Sequence, residues 1–254
     1  MRAFSLHSPG KSHLHRANPM TKLLLVAFCV VTSFIISWPS LWLLTLAILA
    51  AGAISGIGRT IIMRYLVLSL PFTFAVFAFH GLVMPRPDFR LVFGWLPYSA
   101  AGLEYAALVG GRISVMLAAS LLFVATTHPA ALLRTFDAAR WPPALSFLLA
   151  SPLLLLDQFS ARASAIRDAQ QTRGLAIGGS LAARIQALRI LFVPLLTLAL
   201  SDAQERAHVL TARGFRALPY RTVIDPPADG ARERAFRIAL AGVMMLEIAY
   251  VILR

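Results

Sequence analysis

Two arginine-glycine pairs, Arg173-Gly174 and Arg213-Gly214, are the residues best suited to bind a partner. They lie 40 residues apart, and each closes a stretch rich in alanine and arginine. An arginine presents a planar, permanently charged fork that binds carboxylates and backbone carbonyl groups. We therefore expect the two pairs to be matched contact points on the aqueous side of the protein, close enough together for a dimeric partner to hold both.

A single arginine-glycine pair also has a purely structural explanation. Glycine accepts the left-handed conformation that ends many helices, and an arginine in the last turn complements the helix dipole. Two pairs at corresponding ends of successive helices favour the binding interpretation over this one.

Other side chains offer less chemistry. His7, His13 and His15 could ligate a metal ion, but no acidic residue accompanies them, so we expect a solvated tail and no metal site. The sequence lacks a GxxxxGK[ST] phosphate loop, an HExxH zinc helix and a GxSxG nucleophile turn. We therefore predict no catalytic residue and no cofactor, and any ATP hydrolysis must occur in another protein.

The composition predicts a membrane protein. Hydrophobic residues make up 58% of the 254 positions and the mean hydropathy is +0.73, whereas charged residues make up 14%, against roughly 25% in soluble domains. The net charge of +13 could suggest nucleic-acid binding. Basic residues on so apolar a chain are more typical of the cytoplasmic loops of membrane proteins, so we expect no nucleic-acid partner. Cys29 is the only cysteine, which excludes an intrachain disulfide.

Five apolar segments approach the roughly 20 residues that a helix needs to cross a bilayer. They cover residues 22–38, 40–57, 61–81, 104–126 and 235–253. Two shorter apolar runs, 143–156 and 190–200, are more typical of interfacial or buried helices.

The placement of basic residues favours a particular orientation. With the N-terminus inside and five spans, the inner side receives 20 lysines and arginines and the outer side 3, in agreement with the positive-inside rule. This pattern predicts an all-α polytopic membrane protein with its N-terminus inside. Its parts are a cytoplasmic N-terminal segment at 1–21, transmembrane helices 1–4 at 22–127, a cytoplasmic domain at 128–233 and transmembrane helix 5 at 234–254.

Three helices are expected in the cytoplasmic domain, at about 129–139, 143–173 and 180–213. Apolar residues recur every three or four positions in the second and third, so each helix should bury one face. Pro152 and Pro194 are expected to kink these helices. The predicted faces are Leu155, Phe159, Ala163, Ile166 and Ala169 on the second helix, and Leu181, Ile185, Leu188, Phe192, Leu195, Ala199, Ala203, Ala207 and Leu210 on the third.

Four residues of the predicted spans are expected to hold helices together. Arg112 and Glu247 lie at similar depth in spans four and five, and ionisable groups inside a membrane usually pair, so we expect a structural ion pair between them. Gly52 and Gly56 have the small-xxx-small spacing that lets helices pack closely in lipid.

Several stretches of the chain resemble one family. Residues 201–215, SDAQERAHVLTARGF, closely resemble the second signature of the transmembrane (T) component of energy-coupling factor (ECF) transporters, which are ABC-type importers of vitamins and metals. Residues 169–174, AQQTRG, resemble the first signature, with Thr172 where that family usually has alanine. Residues 15–22, 80–82 and 126–129 resemble the entry to the family's first span, the end of its third, and the step from its fourth span to its first coupling helix.

The resemblance implies a scaffold rather than an enzyme. In that family, the two arginine-glycine ends dock in grooves on two cytoplasmic ABC ATPase subunits, and the long helices hold a separate substrate-binding membrane (S) subunit. The S subunit selects the cargo, so the resemblance implies a transporter of a vitamin or a transition metal, in contact with membrane lipid, but does not identify its substrate. The docking residues carried over are Arg173 and Arg213, flanked by Thr172, Gly174, Ala212 and Gly214.

Two other functions remain to be weighed. A membrane-embedded enzyme could use the cytoplasmic arginines to bind an anionic lipid or nucleotide headgroup. A self-sufficient carrier would need polar groups gathered at mid-membrane depth, where only Arg112 and Glu247 come near.

Overall fold

The computed structural model describes residues 12–84, 90–92, 96–174, 181–215, 217 and 228–253. Nearly all of them are helical, which confirms the all-α class. The helices are α1 (His13–Arg16), α2 (Pro19–Ser33), α3 (Trp38–Gly52), α4 (Gly58–Ala78), α5 (Ala100–Thr126), α6 (Pro129–Ala138), α7 (Pro143–Thr172), α8 (Leu181–Ala212) and α9 (Ala231–Leu253), with single π-helical turns at Ala53–Ile57 and Phe79–Val83.

A short hairpin that the sequence did not predict precedes α5. Strand β1 (Arg90–Val92) pairs antiparallel with β2 (Leu96–Tyr98), and Arg90 lies opposite Tyr98. Each strand has three residues, so the hairpin leaves the fold class unchanged.

The chain divides into two compact units. One consists of Met1–Leu132 together with Pro227–Arg254, and the other of Leu133–Pro226. The first contains α1 to α5 and α9, and the second contains α7 and α8.

Helix α5 is the centre of the first unit, where it packs against α2, α3 and α4. Small residues on α5 make this close packing possible. A Cβ atom added at Gly111 would lie 2.9 Å from the Cβ of Leu41, a side chain that is fully buried. Val115 and Ala118 on the same helix are also fully buried, so the core of this unit follows one face of α5.

The two glycines at the end of α3 have different roles. A Cβ atom at Gly52 would lie 2.9 Å from Cδ1 of Ile61, so Gly52 permits close packing as predicted. Gly56 has φ +81° and no heavy atom within 4 Å of an added Cβ. The packing role predicted for Gly56 is therefore wrong: it breaks the helix between α3 and α4, because glycine adopts positive φ without steric cost.

Four helical runs among the described residues are long and apolar enough to cross a membrane: Trp38–Val83, Ala100–Thr126, Ile185–Ala212 and Ala231–Leu253. The first has 46 residues and contains the break at Gly56. Helix α2 has only 15 residues, fewer than the roughly 20 that span hydrocarbon. Ile185–Ala212 qualifies by length and composition, although the placement of arginines predicts a cytoplasmic position for it. The count of five spans stays a prediction.

Arg112 and Glu247 do not form the expected ion pair. Arg112 on α5 donates to the backbone carbonyls of Ser33 and Phe34, at 3.2 and 3.4 Å. Glu247 on α9 accepts from the hydroxyl of Thr32 at 3.0 Å. The carbonyls at the end of a helix lack intrahelical partners, and Arg112 binds those at the end of α2. Counting residues along the helices did not predict the direction of either side chain.

A polar cluster joins the first turn of α2 to α9 and α5. The buried Lys22 Nζ donates to the carbonyl of Thr126, the last residue of α5, at 3.0 Å. The Asn18 backbone N–H donates to Glu233 in the first turn of α9, at 3.2 Å. These contacts fix the point at which α5 ends and the chain continues into α6.

Candidate docking site at the ends of two helices

Helices α7 and α8 form an antiparallel hairpin within the second unit. Side chains from the second half of α7 contact the second half of α8, and a side chain from early in α7 contacts a residue just after α8. The contacts are an ion pair between Arg162 and Asp202, a 2.7 Å hydrogen bond from Arg206 Nη2 to Gln158 Oε1, and an edge-to-face contact of Phe147 with Phe215 at 5.4 Å between ring centroids.

The predicted face of α7 is largely confirmed. Leu155, Phe159, Ala163 and Ile166 are half-buried, whereas Ala169 is exposed. Ala169 lies in the last turn, so the face ends one turn before the helix does.

The buried face of α8 coincides only in part with the predicted one, of which Leu195, Ala199 and Leu210 are half-buried. Ala187 is buried, and Leu191, Leu195 and Ala199 continue its face at helical spacing as half-buried residues. Part of the predicted face is exposed instead: Ile185 at 55%, Leu188 at 66% and Phe192 at 61%. Helix α8 is apolar on two sides, so periodicity alone could not decide which side packs.

Arg173 ends α7 in the manner of a helix stop. Its backbone N–H donates to the carbonyls of Gln170 and Gln171, and the Gly174 N–H donates to the carbonyl of Gln171 at 2.9 Å. Gly174 has φ +88°. Thr172 folds its hydroxyl back onto the carbonyl of Ala169 at 2.8 Å. Thr172, Arg173 and Gly174 are all exposed, so the guanidinium group is displayed at a helix end.

Arg213 ends α8 in the same way. The Gly214 N–H donates to Thr211 O at 3.0 Å, and the Phe215 N–H donates to Leu210 O at 2.9 Å. With Gly214 at φ +68°, these two bonds form a Schellman motif. Ala212, Arg213 and Gly214 are exposed. Among the described residues, neither Arg173 nor Arg213 has an ion-pair partner.

The two arginine ends lie at opposite ends of the hairpin. Arg173 is 11 residues beyond Arg162, and Arg213 is 11 residues beyond Asp202. Because the helices run antiparallel, these 22 residues separate the ends by roughly 33 Å at 1.5 Å per residue. The two ends are therefore not adjacent, and a partner that binds both must span this distance. Both are C-terminal helix ends, and antiparallel packing sets such ends apart.

Helix α6 ends in a third motif of this kind, which the sequence analysis missed. Arg140 itself takes the left-handed position, with φ 59°, and the Trp141 N–H donates to Phe136 O at 3.2 Å. The Trp141 ring stacks on Phe136 at 4.5 Å. Arg140 is the one non-glycine residue of the described chain with positive φ. Because Arg140 is followed by tryptophan and not by glycine, the sequence carries no arginine-glycine pair that would have indicated this turn.

The histidines near the N-terminus lie partly within the described residues. No group of three or more His, Cys, Asp or Glu residues lies close enough together there to hold a metal ion. His7 lies outside the described residues, and His15 Nδ1 is 2.7 Å from the Ser12 hydroxyl.

The family comparison covers both arginine ends. Residues 10–223 match the model of the CbiQ family, described as cobalt transport protein. The chain belongs to this family. Its CbiQ-type region extends from before α1 to beyond Gly214, so α2 to α8 all lie within it.

Two relatives of similar length are both named as the transmembrane protein of an energy-coupling factor transporter. The chain is 26% identical over 260 residues to the energy-coupling factor transporter transmembrane protein EcfT of Exiguobacterium sibiricum, covering 96% of this chain and 94% of that protein. It is 28% identical over 250 residues to the EcfT of Heliobacterium modesticaldum, covering 94% and 93%. The resemblance to the T component is confirmed, and the protein is a membrane component of an ECF transporter.

A third relative has a different domain composition. A putative ABC transporter ATP-binding protein of Bifidobacterium longum is 26% identical over 261 residues, covering 96% of this chain but 33% of that protein. The region similar to this chain is thus one part of a protein about three times as long.

Proposed function

We propose that this protein is the scaffold that couples two ABC ATPase subunits to a substrate-binding membrane subunit in an importer of a vitamin or a transition-metal ion. The observation that carries the proposal is the display of Arg173 and Arg213 at opposite ends of one antiparallel hairpin. Both side chains are exposed, and both lie at glycine-terminated helix ends. The scaffold lies in the bacterial cytoplasmic membrane with its N-terminus inside.

The spacing of the arginine ends supports two separate docking grooves. A separation of roughly 33 Å is too large for one groove and suits one groove on each subunit of an ATPase pair. The Bifidobacterium longum relative is named for ATP binding, and two thirds of it lie outside the region similar to this chain. This chain has no phosphate-binding loop of its own, so ATP binding and hydrolysis belong to the partner subunits.

The residues beside each arginine suit a close approach. Thr172 and Gly174 flank Arg173, and Ala212 and Gly214 flank Arg213. Small side chains let each guanidinium group enter a groove and bind carboxylates or carbonyls there. Truncating a fully desolvated arginine of this kind costs roughly 2 to 5 kcal/mol of binding free energy.

The exposed apolar face of α8 supports contact with the substrate-binding subunit. Ile185, Leu188 and Phe192 lie on this face, and an open groove of about 770 Å³ beside it is lined by Ile185, Arg189 and Val193 among others. Contiguous exposed apolar surface marks protein or membrane contacts. Helix α9 buries none of its residues, and membrane lipid covers its outer side.

ATP-driven closing of the ATPase pair would then act on the hairpin from both ends. Moving the arginine ends toward each other changes the angle between α7 and α8, and the apolar face of α8 moves with the helix. The substrate-binding subunit is thereby reoriented. No catalytic residue of this chain takes part.

Co-purification tests the proposal. The tagged chain is purified from its native membranes, and the ATPase subunits bound to it are quantified for the wild type, Arg173→Glu and Arg213→Glu. Arg167→Glu is the matched control, because Arg167 is an exposed arginine on α7 away from its end. We expect both end variants to lose bound ATPase while the control keeps it. Full ATPase binding by both end variants would contradict the proposal.

A further inference from the structure

The ion pair between Arg162 and Asp202 lies midway between the two arginine ends. Arg173 lies 11 residues beyond Arg162 on α7, and Arg213 lies 11 residues beyond Asp202 on α8. At 1.5 Å per residue, the helical arm between the ion pair and each arginine is about 16 Å long. Since the helices are antiparallel, the two arms extend in opposite directions from the ion pair.

Equal arms on opposite sides make the ion pair the contact that moves least when the ends move. If each helix rotates as a rigid rod about the crossing, the displacement of an atom grows with its distance from that crossing. A contact at the crossing persists while the angle changes. Contacts farther along the hairpin, such as that of Phe147 with Phe215, are stretched or broken.

The surroundings of the ion pair permit such a rotation. The side chains of Arg162 and Asp202 are 36% and 21% exposed, and an open groove of about 430 Å³ lies beside them. Gln158, Glu205 and Arg206 line it. Densely interdigitated apolar side chains resist a change of angle, whereas charged side chains at an open groove can re-form their contacts. The Gln158–Arg206 hydrogen bond lies one turn from the pair on each helix.

We propose that Arg162 and Asp202 are the pivot of the hairpin: positioning residues that hold the crossing point of α7 and α8 while the ATPases move the arginine ends. This inference rests on the proposed function, because the ATPases supply the movement. Half-exposed ion pairs contribute little to stability. The pair therefore acts on the transmission of movement, and its loss leaves the helices folded and the arginine ends docked.

Distance measurement between spin labels tests the pivot. Labels are placed on cysteines substituted at Gln171 and Thr211 in a Cys29→Ser background; both positions are exposed, and each lies nine residues beyond the ion pair. Their backbones should be about 27 Å apart along the hairpin. The distance is measured in the complex with its ATPase subunits, without nucleotide and with a non-hydrolysable ATP analogue. Arg162→Asp, Asp202→Arg and the double exchange are compared with the wild type, and Arg167→Asp is the control.

The wild type and Arg167→Asp should show a shorter distance with nucleotide. Each single reversal should lose this shift while keeping its ATPase subunits, and the double exchange should restore it. Single reversals that keep the wild-type shift would overturn the pivot, as would single reversals that lose the ATPases or the helical content. A wild-type chain that binds no ATPase would instead overturn the proposed function itself, so the two failures are distinguishable.

Discussion

Arg112 and Glu247 lie on different helices, α5 and α9, and both bind the last turn of α2. Arg112 donates to the carbonyls of Ser33 and Phe34, and Glu247 accepts from Thr32 one residue earlier. The Arg112 guanidinium also lies over the Phe34 ring, 5.2 Å from its centroid. The end of α2 is thus held from two sides by groups that act independently.

Independent contacts predict additive effects. Arg112→Leu and Glu247→Gln should each lower the thermal stability of the detergent-solubilised protein, with a cost of roughly 1.5 to 3 kcal/mol for the hydrogen bonds of Arg112. The loss of stability in the combined charge reversal, Arg112→Glu with Glu247→Arg, should be at least the sum of the losses in the two single reversals. Recovery of stability in the double reversal would show a direct pair. Thermal unfolding followed by circular dichroism measures both.

The left-handed backbone conformation of Arg140 predicts that glycine at this position is more stable than alanine. A non-glycine residue in this conformation costs roughly 1 kcal/mol or more, so Arg140→Gly should raise the unfolding temperature relative to Arg140→Ala. Both variants remove the same side chain contacts, and only alanine keeps the backbone strain. Equal unfolding temperatures for the two variants would show that the φ of 59° carries no cost.

The backbone conformation of Gly214 predicts that ATPase binding at the second arginine end requires a residue that tolerates positive φ. Its φ of +68° and the 3.4 Å approach of an added Cβ to Ala217 leave little room for a branched side chain. Gly214→Val should disturb the end of α8 and reduce ATPase binding although Arg213 is intact. Gly214→Asn should retain binding better, because asparagine tolerates the left-handed conformation. Quantified co-purification of ATPase subunits distinguishes the two variants, and equal binding by both would count against the requirement.

The close packing at Gly111 predicts that a larger residue there destabilises the contact between α5 and α3. A Cβ atom there would lie 2.9 Å from the Leu41 Cβ, whereas one at Gly242 on α9 has no heavy atom within 4 Å. Gly111→Ala should destabilise the protein by roughly 1 to 3 kcal/mol through overpacking. Gly242→Ala should be neutral or slightly stabilising, since alanine is the better helix former. Similar unfolding temperatures for the two variants would argue against close packing at Gly111.

Local chemistry made much of the fold predictable. The three helices from α6 to α8 begin and end within a few residues of their predicted bounds. Prolines mark the starts of α6 and α7, and arginine-glycine pairs mark the ends of α7 and α8; both signals act within one helical turn. The family was recognisable for the same reason, since its signatures are contiguous stretches at those stops.

Features that depend on tertiary packing were not predictable in the same way. Gly52 and Gly56 have the same residue type, yet only the fold shows that one packs and the other turns. The direction of Arg112 depends on where α2 ends. The distance between Arg173 and Arg213 depends on the antiparallel pairing of α7 with α8, which helical periodicity does not specify.

Site-specific cross-linking tests the central claim most directly. In a Cys29→Ser background, single cysteines replace Thr172 beside the first arginine and Ala212 beside the second, with Arg167→Cys as the exposed control on α7. A short bifunctional reagent is applied to the intact complex, and the cross-linked products are identified by mass spectrometry. We expect each end cysteine to cross-link to an ATPase subunit and the control to give no such product. Absence of ATPase cross-links at both ends, in a complex that transports, would contradict the account.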